Sequence, residues 1–133
     1  MVENRTQLWG YRGILAIHAG SRRSERGMED PRILQAARSS TGSTHPDLEP
    51  HLQYGAILGL IEVIHTHPAT ANCCPPWGET EYVEHGGRHR RNIVHMVLEN
   101  PQPLPEPIAC RGALGLWTVP GDIEQRCHEQ LHP

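Results

Sequence analysis

The sequence predicts a small α+β protein, a compact and mostly antiparallel barrel with flanking helices. Three observations predict this class. Apolar segments of strand length recur along the 133 residues, glycines interrupt several of them, and two other segments have the apolar spacing of helices. A glycine inside a strand marks a bulge or a tight bend, which a small closed barrel requires. A chain of this length corresponds to one domain, which we place at residues 1–133.

Four segments have the composition of strands. Residues 11–19 are largely apolar on both faces, which predicts a strand that is covered on both sides. Residues 55–66 give the strongest strand pattern, although Glu62 falls inside an apolar face, where an unpaired carboxylate is costly. The other two predicted strands are residues 92–98 and 112–119.

Two helices are predicted from their ends and from their spacing. Asp30 followed by Pro31 is typical of a helix N-terminus, because Asp caps free N–H groups and proline has none to satisfy. This helix is expected to reach Ser39, and a second one is expected from Pro120 to Leu131. The predicted buried residues are Ile33, Leu34 and Ala37 in the first helix, and Ile123, Cys127 and Leu131 in the second.

Three segments are predicted to lack regular structure. Residues 20–29 form a polar loop. Residues 67–91 form a long loop rich in proline and glycine. A loop of this length inside a compact domain more often than not carries functional residues. An extended crossing follows, in which every second residue is a proline without an N–H donor for a β-ladder. These prolines are Pro101, Pro103, Pro105 and Pro107.

The charge of the chain excludes some classes of protein. Its net charge is −3, and all 12 cations are arginines because the sequence contains no lysine. This balance argues against nonspecific DNA wrapping, which needs a basic footprint. No apolar run approaches the roughly 20 residues of a membrane span, and no N-terminal leader is visible, so we expect a cytoplasmic protein without a membrane partner.

The cysteines are predicted to be reduced thiols, as is usual in a cytoplasmic protein. Cys73 and Cys74 are adjacent and therefore do not form a C-x-x-C metal or redox pair. His65 and His67 share a strand face, but the local spacing supplies no third ligand. The sequence therefore predicts neither a metal site nor another cofactor.

A series of short motifs runs along most of the chain, from Val2 to about Pro120. These are Glu3–Asn4–Arg5, Tyr11–Arg12–Gly13 with the ILAIHA strand, Gly55–Gly59, Pro76–Glu79, His95–Leu98 and Arg111–Trp117. In their order and spacing they resemble bacterial members of the ASCH domain family, which are PUA-like barrels. Met96 departs from this pattern, because related sequences often carry a Trp there that offers a stacking surface.

The family signature, G-x-K-x-x-E-x-R, is cut in this chain. Glu3 and Arg5 match its last two residues, and its lysine would fall immediately before Met1. The strand and helix that precede the signature in the family are also missing, so we expect a truncated member whose gene starts upstream of Met1. Loss of that strand would expose an apolar barrel edge through which two copies form a homodimer.

The resemblance implies that the protein binds RNA or a modified nucleobase, with one unstacked base in a cleft beside the barrel. Some members are similar to this chain and act as amidohydrolases on acylated cytidines, using the signature lysine. Because this chain has no lysine, the binding module is the leading hypothesis, and whether the protein is an enzyme stays open. The alternative is a small hydrolase of modified nucleosides or RNA, with Glu62 and Glu79 as acid/base groups.

Each candidate ligand contact also has a plainer interpretation. Glu3 and Arg5 lie two residues apart, so they would present a carboxylate and a guanidinium on one face, or form an exposed ion pair. Trp77 would stack on a base with Glu79 beside it, or would fold back to cap the barrel. Glu62 is more simply a structural carboxylate that is paired with Arg5 or Arg12. Arg88, Arg90 and Arg91 would form a phosphate-binding cluster or a merely solvated one. His18 and His95 would each line the cleft or bond to a carbonyl in the core. The full set of predicted ligand contacts is Glu3, Arg5, Arg12, Trp77, Glu79, Arg88, Arg90, Arg91 and His95.

Overall fold

A computed structural model describes residues 2–5, 10–44, 47–70, 73–79, 83–85, 89–91 and 93–133. The described part of the chain contains six strands, three α-helices and one short 3-10 helix. They are β1 (Val2–Arg5), β2 (Gly13–Ala19), α1 (Glu25–Met28), α2 (Pro31–Thr41), the 3-10 helix (Glu49–His51), β3 (Ala56–Pro68), β4 (Val83–His85), β5 (His89–Arg91), β6 (Val94–Ala109) and α3 (Gly121–Leu131).

Four strands form an open antiparallel sheet in the order β1-β6-β3-β2, and β4 pairs with β5 in a separate hairpin. In the β1–β6 pair, Val2 lies opposite Val97 and Arg5 lies opposite Val94. The predicted α+β class is therefore confirmed. A closed barrel is not seen among the strands that the structure describes, because β1 and β2 lie at the two edges of this sheet.

The chain divides into two compact units, and the long strands contribute residues to both. The first unit comprises Met1–Leu15 and Leu60–Gln102, and the second comprises Ala16–Gly59 and Pro103–Pro133. Each unit has its own apolar cluster. Ile61, Val63, Met96 and Leu98 form the cluster of the first unit, with Leu15 packed against it, and Ile57, Leu104, Ile108, Ile123 and Cys127 form the cluster of the second.

The proline run is extended, as the sequence predicts, and it is part of a strand. β6 continues without interruption from Val94 to Ala109. Prolines at every second position place all their missing N–H groups along one edge of a strand, and the intervening residues keep their donors. Glu106 N–H, for example, binds Oε1 of Gln130 on α3 at 3.0 Å. Leu104, between two of the prolines, and Ile108, directly after the last one, are buried.

Two further strand predictions need correction. Residues 112–119 form no strand, because Gly115 turns the backbone at a φ of 71°. The segment is largely exposed, and Leu114 is 99% exposed. The fourth strand of the sheet is instead β1, at the N-terminus. β2 forms as predicted and lies at the edge of the sheet. The expected cover on both of its faces is wrong, since Ile14 is 55% exposed and Ile17 is 40% exposed.

Both predicted helices are confirmed. Asp30 caps α2, and Ile123 and Cys127 are the buried residues of α3. Ile33 on α2, however, is 37% exposed, and Leu34 and Ala37 are only half-buried. One turn of helix, α1, lies within the segment that was expected to be a polar loop. None of the helices in the described residues is long and apolar enough to cross a membrane.

The core of the second unit can be tested by a cavity-forming substitution. Ile108 is fully buried, so Ile108→Ala removes apolar contacts and leaves a void. We expect the free energy of unfolding, measured by urea denaturation, to fall by about 2–5 kcal/mol. Leu114→Ala is the matched control, because Leu114 is almost fully exposed and its loss should change stability by less than about 0.5 kcal/mol. Equal losses for the two variants would contradict the assignment of this core.

The cap of α2 predicts a pH dependence of stability. Asp30 accepts hydrogen bonds from the backbone and guanidinium of Arg32, which lower the pKa of its carboxyl from 3.8 to about 2. Because the pKa in the folded protein is the lower one, the carboxylate stabilises the fold above about pH 4 and loses this effect as the pH falls towards 2. Asp30→Asn should therefore be less stable than the wild type at neutral pH, with a difference in urea midpoint that shrinks between about pH 4 and pH 2. A difference that stays constant over this range would show that the charge of Asp30 plays no part.

Candidate functional sites

A loop at residues 73–79 is attached to β1 by one side chain. Asn4 donates from its amide nitrogen to the carbonyl oxygen of Trp77 at 2.8 Å and accepts from the N–H of Glu79 at 2.9 Å. Successive residues of a strand point to opposite faces, so the loop lies on the face of β1 opposite the side chains of Glu3 and Arg5. These contacts therefore do not bring the predicted ligand residues Glu3 and Arg5 together with the loop that carries Trp77.

A tight turn brings two adjacent cysteines to the same side of this loop. Cys74 has a left-handed backbone with a φ of 54°, which breaks the alternation that would point neighbouring side chains apart. Gly78 closes the turn by donating its N–H to the carbonyl of Cys74 at 2.8 Å. A Cβ at position 78 would lie 2.8 Å from the carbonyl oxygens of both cysteines, so the turn requires glycine there.

Two histidines meet these cysteines, and we name the four residues His67, Cys73, Cys74 and His95 the Cys–His cluster. One potential ligand atom from each residue lies within 4.8 Å of those of the other three. Cys73 Sγ lies 3.3 Å from His95 Nδ1, and Cys74 Sγ lies 3.4 Å from His67 Nε2. His95 is fully buried, and the other three residues are half-buried.

The remaining ring nitrogens of the two histidines are bound to backbone carbonyls. His95 Nε2 lies 2.8 Å from the carbonyl oxygen of Glu79, and His67 Nδ1 lies 2.8 Å from that of Pro68. Because a carbonyl can only accept, each of these nitrogens carries its proton. In the neutral rings, the lone pairs therefore lie on the nitrogens that face the cysteine sulfurs.

The two thiols have different electrostatic surroundings. Hydrogen bonds from Thr70, including one from its backbone N–H at 3.3 Å, lower the pKa of Cys73. Burial raises the pKa of Cys74, and the neighbouring Cys73 raises it further. Hydrogen bonds thus favour the thiolate of Cys73, whereas burial disfavours that of Cys74. All four cysteines of the chain are free thiols, as the sequence predicts.

No metal site was predicted from the sequence, yet these residues have the donor types and proximity of one. The cysteine pair was set aside because it lacks C-x-x-C spacing, and His67 because no ligand lies near it in the sequence. The missing ligand, His95, comes from β6, 21 residues after Cys74. An N-C-C-P-P turn between two strands that both carry histidine was the available signal. His65, the predicted neighbour of His67, is exposed and lies outside the cluster.

The second unit contains a cleft of about 860 Å³, lined by His18, Gly20, Ser21, Gly55 and residues 109–114. We call it the His18 cleft. Its volume lies within the range of small-molecule sites, roughly 300–1,000 Å³. Arg111 and Leu114 are exposed at this cleft, and much of the remaining lining is glycine and alanine backbone.

His18 is held in a defined orientation at this cleft. Its Nε2 donates to the carbonyl oxygen of Cys110 at 2.6 Å, and its ring meets Trp117 edge-on with centroids 5.6 Å apart. Gly112 packs so closely on the ring that a Cβ there would lie 2.5 Å from His18 Cε1. His18 and His95 each bond to a backbone carbonyl, as predicted, and His18 also lines this cleft.

The other predicted ligand contacts have the following positions. Glu3 and Arg5 form the expected ion pair at 2.9 Å, with roughly 40% of each side chain exposed. Arg12 is exposed and donates to the carbonyl of Tyr11. Glu62 accepts from the amide of Asn100 at 2.9 Å, so the structure gives it an amide partner where an arginine was expected.

The remaining predicted contacts are backbone contacts or lie outside the description. Glu79 uses its backbone N–H and carbonyl to hold Asn4 and His95. Met96, at which a stacking surface was expected to be lost, is 1% exposed and belongs to the core. Arg88 lies outside the described residues, and only the backbone of Arg90 and Arg91 is described, in β5.

In comparisons with known proteins, no family model and no curated protein sequence matches this chain.

The close packing of Gly112 on His18 predicts that a single methyl group will disturb the His18 cleft. Gly112→Ala would push the imidazole away and break its hydrogen bond to Cys110. We expect a loss of about 1–3 kcal/mol in the free energy of unfolding, together with shifted NMR signals of the His18 and Trp117 rings. Gly121→Ala is the control, because a Cβ at Gly121 meets no atom within 4 Å. Unchanged ring signals in Gly112→Ala would contradict the described packing.

Proposed function

We propose that this protein is an RNA-binding or nucleobase-binding module of the ASCH type, which takes one unstacked base into the His18 cleft. One observation carries the proposal. Three separate segments that resemble the family, Tyr11–Ala19, Gly55–Gly59 and Arg111–Trp117, contribute lining residues to the same opening. Chance resemblance of short motifs gives no reason for them to converge.

The chemistry of the His18 cleft suits a flat, polar ligand. Unstacked bases are recognised by stacking and by hydrogen bonds to their edges, and the lining includes the polar side chains of His18, Ser21 and Arg111. The His18 and Trp117 rings supply aromatic surface near the opening. Among the described residues of the lining, Arg111 alone carries a permanent charge, and it would contact a phosphate or the face of a base.

The proposal includes three finer points that derive from the resemblance. The open sheet would be part of a PUA-like barrel, the protein would act in the cytoplasm, and Glu3 and Arg5 would contact the nucleic acid. The free thiols of the chain are consistent with a reducing compartment. The net charge of −3 favours recognition of a single base over nonspecific binding along a strand.

A binding titration tests the proposal. We expect a panel of single-stranded RNA oligomers and free nucleosides to contain at least one ligand that binds saturably at low salt, detected by a change in intrinsic tryptophan fluorescence or by calorimetry. The salt dependence should be shallow, with a slope of about −1 in log affinity against log salt, because one or two phosphates are neutralised. No saturable binding across the panel would refute this function.

A matched pair of arginine variants locates the site. Arg111→Ala removes a charged contact, which contributes about 1.5–3 kcal/mol, so we expect affinity to fall roughly 10- to 100-fold. Arg126→Ala removes the same charge from an exposed position on α3 outside the cleft lining, and affinity should change little. Equal losses in the two variants would indicate general electrostatic attraction instead of a site at the His18 cleft.

A further inference from the structure

We propose that the Cys–His cluster of the first unit binds a zinc ion. The cluster offers two sulfurs and two imidazole nitrogens, which is the donor set of closed structural zinc sites. Soft thiolates together with imidazoles favour zinc over magnesium or calcium, which prefer oxygen ligands. This site is independent of the nucleobase proposal, because none of its residues lines the His18 cleft.

The distances within the cluster fit tetrahedral coordination. With Zn–S bonds of about 2.3 Å and Zn–N bonds of about 2.0–2.1 Å, a sulfur and a nitrogen on the same zinc lie about 3.6 Å apart. The two sulfur–nitrogen pairs of the cluster are separated by 3.3 Å and 3.4 Å, and no ligand atom is more than 4.8 Å from another. On a tetrahedral zinc the ligand atoms lie about 3.4–3.8 Å apart, so a pair separated by as much as 4.8 Å would have to close by about 1 Å.

The outer hydrogen bonds of the histidines are those of metal ligands. A zinc-bound imidazole commonly donates its other N–H to a carbonyl or a carboxylate, which fixes the tautomer and the ring orientation. His67 and His95 both make this bond, to the carbonyl oxygens of Pro68 and Glu79. Both rings therefore direct a lone pair at the site, and thiol–imidazole contact alone does not account for the convergence of two such pairs.

The backbone conformation around Cys73 and Cys74 brings their two sulfurs close together. The left-handed conformation of Cys74 and the close approach of Gly78 place the two neighbouring sulfurs on one side of the turn. The Thr70 N–H bonds to Cys73 Sγ, a contact that stabilises a thiolate ligand. A non-glycine residue in this conformation is unfavourable by itself, so its presence needs a compensating interaction.

A zinc ion would add stability to the first unit, whose apolar core is small. Its described apolar cluster contains four buried residues, with Leu15 packed against them. The cluster joins the end of β3, the loop and the start of β6, so one ion would cross-link three parts of the chain. Small units commonly use a structural metal in this way. With all four positions filled by protein, the ion would have no open site for catalysis.

Metal analysis of the full-length protein tests this proposal. We expect the protein purified under reducing conditions to contain one zinc per chain. After removal of the metal by a chelator, Co²⁺ should restore the absorption of a tetrahedral site with thiolate ligands, and Zn²⁺ should displace it. Absence of bound zinc together with absence of a thiolate–cobalt spectrum would overturn the proposal. So would a Cys73–Cys74 disulfide that persists in reductant.

Matched variants identify the ligands. Cys74→Ser should weaken Zn²⁺ binding by more than about 100-fold in competition with a chromophoric chelator, because even outer hydrogen-bond partners contribute 10- to 100-fold. Cys110→Ser replaces another half-buried free thiol, and His65→Ala replaces the neighbour of His67, so both should keep wild-type affinity. A loss of equal size in either control, or full affinity in Cys74→Ser, would contradict the assigned ligands.

Thiol protection in the wild-type chain gives a result that does not depend on the folding of any variant. Zn²⁺ should slow the alkylation of Cys73 and Cys74, followed by mass spectrometry, and should leave that of Cys110 unchanged. Equal rates at Cys73 and Cys74 with and without Zn²⁺ would overturn the proposal even if Cys74→Ser failed to fold. A protein that binds zinc and no RNA or nucleoside would refute the proposed function alone.

Discussion

The first unit depends on the hydrogen bonds of one buried imidazole, that of His95. His95 has no exposed surface, so each polar atom of its ring needs a partner within the protein. Nε2 donates to the carbonyl of Glu79, and Nδ1 faces the sulfur of Cys73. These two contacts bring both ends of the loop at residues 73–79 to the same ring. An unpaired polar group in this position would be destabilising by about 1–3 kcal/mol, so the loop and β6 constrain each other.

Asn4 completes this constraint from the other side of the loop. Its side chain donates to the carbonyl of Trp77 and accepts from the N–H of Glu79, so two backbone groups of the loop are hydrogen-bonded to β1. The register places Asn4 directly opposite His95 across the β1–β6 ladder. Two neighbouring polar side chains on one face of the sheet therefore hold a loop that lacks regular structure. The Cys–His cluster lies where this loop meets the ends of β3 and β6, which is why four ligand-type side chains converge there.

The second unit is organised around a different contact, the packing of His18 on Gly112. The glycine allows the segment at residues 110–117 to approach the imidazole, and the ring then binds the Cys110 carbonyl from within that segment. Trp117 meets the same ring at its edge. One histidine on an edge strand thereby orders a segment that forms no strand of its own. Residues 110–114 of this segment, Arg111 among them, form one wall of the cleft.

The sequence by itself determined the features that depend on neighbouring residues. The Asp30–Pro31 cap and the four-residue spacing of Ile123 and Cys127 predicted α2 and α3, because helix bonds and helix faces are local. Alternating apolar residues predicted β2 and β3 for the same reason. The carbonyl partners of His18 and His95 followed from the general requirement that buried polar groups be satisfied. Each of these predictions needed a few consecutive residues and no knowledge of the rest of the chain.

Only the tertiary structure decided which residues meet across long separations. Residues 112–119 have the composition of a strand but lack a ladder partner, whereas the proline run gains one because its intervening residues keep their donors. Glu62 accepts a hydrogen bond from Asn100, whereas an arginine partner was expected. The Cys–His cluster needed a histidine from another strand, and the His18 cleft needed three separate segments. Sequence periodicity carries no information about such contacts, because they depend on how the strands pair and not on the residues that flank each position.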